Sequence, residues 1–114
     1  MRTAFAFAVI GLSALSYPAH SAGEGTPVPP GAIQWGPVPP VLPKGGQIAV
    51  LWGDPGKSGP LTVRLKLPAG YKIPPHLHPH TEPVTVLSGE LWFGFGDRID
   101  VKAAQKLGPG GFVH

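Results

Sequence analysis

His76, His78 and His80 fall within five residues, and Glu82 follows two positions after the last of them. Imidazole nitrogen and carboxylate oxygen are ligands that proteins commonly offer to divalent transition metals. On an extended strand His76 and His78 point to one face, so two imidazoles converge on a single point. Pro79 disrupts regular pairing, which allows a bend before Glu82 enters the next strand. Two imidazoles and a carboxylate would then form a metal-binding set. A His-x-His pair alone is also the pattern of a surface cluster that binds nothing, so the surrounding elements must decide.

Those elements read as strands separated by turns. Gln47 to Trp52 is a short apolar run, and the stretch 53–60 is a turn-rich connection. Leu61, Val63, Leu65 and Leu67 alternate with Thr62, Arg64 and Lys66, the pattern of a half-buried strand. Ile73 to His78, Val84 to Leu87 and Leu91 to Phe95 read as three more strands, the last two joined at Ser88-Gly89. Asp100 to Leu107 reads as a helical turn. Short strands at this spacing point to an antiparallel sandwich or barrel.

Composition narrows the class further. The chain has 114 residues and no cysteine, which excludes disulfide scaffolds, cysteine-ligated zinc and thiol catalysis. Only 13% of residues are charged, and 17 glycines with 16 prolines make an all-α fold untenable. A hydrophobic share of 42% nonetheless supplies a core, which favours a packed β-rich domain over disorder. Nine Lys and Arg against six Asp and Glu are scattered without a basic run, so nothing points to nucleic acid.

The first 22 residues have the form of an export signal. Arg2 precedes an apolar stretch from Ala4 to Leu15, Tyr17-Pro18 breaks it, and small residues follow at Ala19, Ser21, Ala22 and Gly23. About a dozen apolar residues are too few to span a bilayer, which needs roughly 20. The expectation is a periplasmic or secreted protein with no membrane attachment after cleavage. Residues 23–43 form a proline-rich arm carrying the near-repeat Pro27-Val28-Pro29-Pro30 and Pro37-Val38-Pro39-Pro40. Its simplest role is a stiff arm tacked to the domain through Ile33 and Trp35. Residues 44–114 make the domain. Gly56-Lys57-Ser58 fails as a phosphate loop because Leu51 stands where the first glycine belongs. Gly94-Phe95-Gly96 fails as a dinucleotide fingerprint because Ile99 stands at the third glycine.

The full spacing around the histidines is more specific. Gly70, His76, His78, Glu82 and Gly89 fit G-x5-H-x-H-x3-E-x6-G over twenty residues. This resembles the first signature of the cupin superfamily, and residues 44–114 resemble its small exported bacterial single-domain members. The resemblance implies an all-β, double-stranded β-barrel of jelly-roll type, with a divalent metal held inside by His76, His78 and Glu82. Iron, manganese, nickel, copper and zinc all suit such ligands. With Glu82 inward, Val84 and Val86 share its face and line the barrel. His80 reads as an exposed loop residue or a spare ligand.

The family's second signature, G-x5-P-x-G-x2-H-x3-N, is reached only at its first glycine, Gly110. The expected domain is therefore a cupin lacking its C-terminal strands and its fourth ligand. The competing reading is a short domain that uses His114 as a ligand or is closed by a partner chain. Open edges along Leu61 to Leu67 and Leu91 to Phe95 would favour a homodimer. Function divides between two classes. One is a metal-binding or sensing module with no assigned reaction; the other is a metal-dependent dioxygenase or isomerase acting on a small organic molecule.

Overall fold

The computed structural model describes residues 25–114; the export-signal reading of residues 1–22 lies outside them. The described residues are all-β in class, with antiparallel strands, a single turn of 3₁₀ helix at Pro30–Ala32 and no α-helix. No helix among them is long and apolar enough to cross a membrane. The strands are β1 (Gly36–Pro37), β2 (Gln47–Trp52), β3 (Thr62–Lys66), β4 (Val84–Thr85), β5 (Leu91–Phe93), β6 (Gln105–Leu107) and β7 (Phe112–Val113).

They form three sheets. β1, β2 and β3 pair in chain order, while β5 pairs with β6 inside the longer-range pair of β4 with β7. The alternating β3 faces the apolar run of β2, with Ile48 opposite Leu65 and Val50 opposite Val63. An irregularity between Val50 and Trp52 then shifts the pairing before the 53–60 turn. Ala49, 2% exposed, lies at the centre of this sheet.

The second buried apolar residue is Val86, 7% exposed. Its amide donates to the Gly111 carbonyl at 2.9 Å, and its own carbonyl accepts from Gly110 at 2.8 Å. These bonds continue the β4–β7 ladder by one residue and explain why burial peaks there. A cavity of about 440 Å³ is lined by Phe93, Phe95, Leu107, Phe112 and Val113 among others. Phe95 is 82% exposed at its rim.

The arm is fastened to the first sheet. β1 pairs with β2, and Lys66 Nζ sits 4.4 Å from the Trp35 ring centre. Tyr71 donates its hydroxyl hydrogen bond to the Pro43 carbonyl. Gly46 is buried where Val38, Leu67 and Tyr71 converge, with room for no larger side chain unless they give way.

Two local expectations are corrected. Ile73 to His78 is not a strand: the chain from Tyr71 to Pro83 is irregular, bending at Pro79 and His80. Pro74, Pro75 and Pro79 have no amide hydrogen to give to a ladder, and this outweighs any alternation of side chains. Asp100 to Leu107 is not helical throughout. Asp100 Oδ1 accepts from the amides of Lys102 and Ala103 at 3.1 and 3.4 Å, closing one turn. The chain then extends into β6 because Gln105 to Leu107 find partners in Phe93 to Leu91.

Candidate metal centre

The segment that carries the candidate ligands links the first sheet to the second, running from the end of β3 to the start of β4. Its entry is a turn, Pro68 to Tyr71, closed by the Tyr71 amide on the Pro68 carbonyl at 3.1 Å. Gly70 occupies the third position with φ +77°, the left-handed value that a type II turn requires there. Beyond β4 the chain bends at Ser88-Gly89, where Gly89 has φ +70°. Both outer positions of the spacing therefore need glycine for a backbone reason.

Between them His76, His78 and Glu82 come together. Each offers one ligand atom, and the three atoms lie within 4.8 Å of one another. The His76 and His78 rings meet edge to face with centroids 4.5 Å apart. His78 Nε2 and Glu82 Oε2 are 2.6 Å apart. His76 Nδ1 lies 2.8 Å from the Pro74 carbonyl; with a proton on Nδ1 this bond fixes the ring and leaves Nε2 as the metal-binding nitrogen.

The grouping agrees with the spacing, but its setting differs from the one the resemblance implies. All three residues are exposed, and the His78 and Glu82 side chains retain 45% and 49% of their accessible surface. The ligands stand on an irregular connection and not on the inner face of a strand, again because the prolines prevent pairing. Val84 and Val86 are the residues of this stretch that turn to the interior.

The remaining histidines stand apart. His80 is exposed and outside the cluster. His114 stacks on Phe112, with ring centroids 5.8 Å apart and planes at 23°. Tyr71, adjacent in sequence to the motif, is engaged with Pro43 and so points toward the arm.

Two nitrogens and one oxygen grouped this closely on exposed side chains could, after small side-chain shifts, hold a divalent transition ion and leave several of its coordination positions to water or a small ligand. No family model, curated protein or solved structure matches the chain.

Proposed function

We propose that this chain is an exported divalent-metal-binding domain of cupin type, in which His76, His78 and Glu82 hold the ion. The observation that carries this reading is the convergence of three ligand atoms within 4.8 Å from residues spaced as G-x5-H-x-H-x3-E-x6-G. The positive φ of Gly70 and Gly89 supports it, since the glycines of the pattern stand where the backbone needs them. The enclosure of β5–β6 by β4–β7 is the nested antiparallel pairing expected of a jelly roll. Binding is the function assigned, with the open metal positions available to a small ligand. The unpaired edges of β1 and β3 would favour self-association.

The test is metal content. The protein is purified without chelators, loaded with a mixture of divalent ions, desalted and analysed by inductively coupled plasma mass spectrometry. One equivalent of metal is expected, and it should be lost when His76 and His78 are both replaced by alanine. An unchanged metal content in that variant overturns the assignment.

A further inference from the structure

The geometry around His76, His78 and Glu82 points to the ion itself: we infer that the centre is selective for copper(II). This rests on the metal-binding reading above and goes beyond it by naming the cation. Proteins discriminate among divalent metals chiefly by imposing a coordination geometry and by choosing ligand types. Where no geometry is imposed, nitrogen and oxygen ligands follow the intrinsic order Mn < Fe < Co < Ni < Cu > Zn. The question is therefore how firmly this centre fixes its ligands.

Donor atoms sharing one ion at ordinary bond lengths of 2.0–2.2 Å stand about 2.9 Å apart at right angles and about 3.4 Å apart in a tetrahedron. The arrangement here matches neither. His78 Nε2 and Glu82 Oε2 are closer, at 2.6 Å, whereas the whole group spans up to 4.8 Å. Every ion must therefore shift these side chains by a few tenths of an ångström to more than one.

Such a shift meets little resistance. The three residues are exposed, and the backbone between Tyr71 and Pro83 belongs to no strand. The contacts seen on the ligands are the 2.8 Å approach of His76 Nδ1 to the Pro74 carbonyl, the edge-to-face meeting of the two imidazoles and the His78–Glu82 pair, and all three are made by exposed side chains that an ion can reorient. A centre that yields equally to tetrahedral and tetragonal demands selects by ligand chemistry alone. Two imidazoles favour copper and nickel over manganese, and the intrinsic order places copper above nickel and zinc. The two imidazole nitrogens and the carboxylate oxygen would hold the copper ion, with water completing the set.

The experiment titrates the full chain with manganese, nickel, zinc and copper salts against a competing chelator of known affinity. It also records the electron paramagnetic resonance spectrum of the copper form. The expected result is copper bound at least about tenfold more tightly than zinc or nickel. The spectrum should be axial with nitrogen hyperfine structure, and His76→Ala with His78→Ala should abolish both. His114→Ala, outside the cluster, serves as the folded control and should bind as the parent does. Zinc, nickel or manganese binding as tightly as copper, with binding still lost in the double variant, would overturn the selectivity and leave the metal-binding reading standing. Copper binding that survives the double variant would overturn both.

Discussion

His78 Nε2 and Glu82 Oε2 lie 2.6 Å apart across the bend at Pro79 and His80. A contact of this kind needs a proton between the two atoms, whereas coordination through Nε2 needs the nitrogen lone pair. Metal entry through that nitrogen therefore replaces the contact.

Glu82 should accordingly matter through its charge. Glu82→Gln preserves shape and removes the carboxylate, and metal affinity is expected to fall by roughly tenfold or more. Isothermal titration of both forms checks this.

A stability prediction concerns the 53–60 turn. Gly53 has φ +88°, and a Cβ there would collide with the Pro60 carbonyl oxygen. Gly53→Ala should destabilise the fold by about 1–3 kcal/mol, through backbone strain together with the clash. Urea denaturation measures it, and a loss below a few tenths would show that the turn relaxes freely.

The arm offers a third test. Lys66 lies over the Trp35 ring at 4.4 Å, an exposed cation–π pair of the kind that contributes about 0.5–1 kcal/mol. Lys66→Met keeps the apolar stem and should remove that amount, while Trp35→Ala should cost more by also uncovering the sheet. Equal stability of Lys66→Met and parent would mean that the charge contributes nothing.

Export gives a fourth. Produced in a bacterial host, the protein should lose about 22 residues and leave the cytoplasm. Mass spectrometry that finds Met1 intact on the protein outside the cytoplasm would contradict the reading of Arg2 and Ala4 to Leu15 as a cleaved signal.

The grouping of His76, His78 and Glu82 was legible because side chains so close in sequence need little tertiary structure to meet. The strands Gln47–Trp52 and Thr62–Lys66 were legible for a different reason. The apolar run of the first and the alternation of the second are local signals, and the two strands are near in sequence. Reading failed where the deciding fact was either a missing donor or a distant partner. Ile73 to His78 contains apolar and polar residues in strand-like order, but two prolines at its start remove the amides a ladder needs. Gln105 to Leu107 carries no strong period of its own and becomes extended because Leu91 to Phe93 lies beside it. The exposure of the metal ligands was hidden for the same reason as the absent strand: without pairing, no pleat assigns those side chains an inner face.

All three candidate ligands stand on one connection and within seven residues of it, from His76 to Glu82. An ion bound there closes a small ring of chain and ties no sheet to another, so it removes little freedom from the unfolded polypeptide. That same short segment keeps its ligands within reach after the fold is lost, and an ion that binds both states raises the melting temperature less than its affinity would suggest. A synthetic peptide covering Gly70 to Gly89 should hence retain much of the metal affinity of the intact protein. In this chain, metal capture and folding would be nearly independent events.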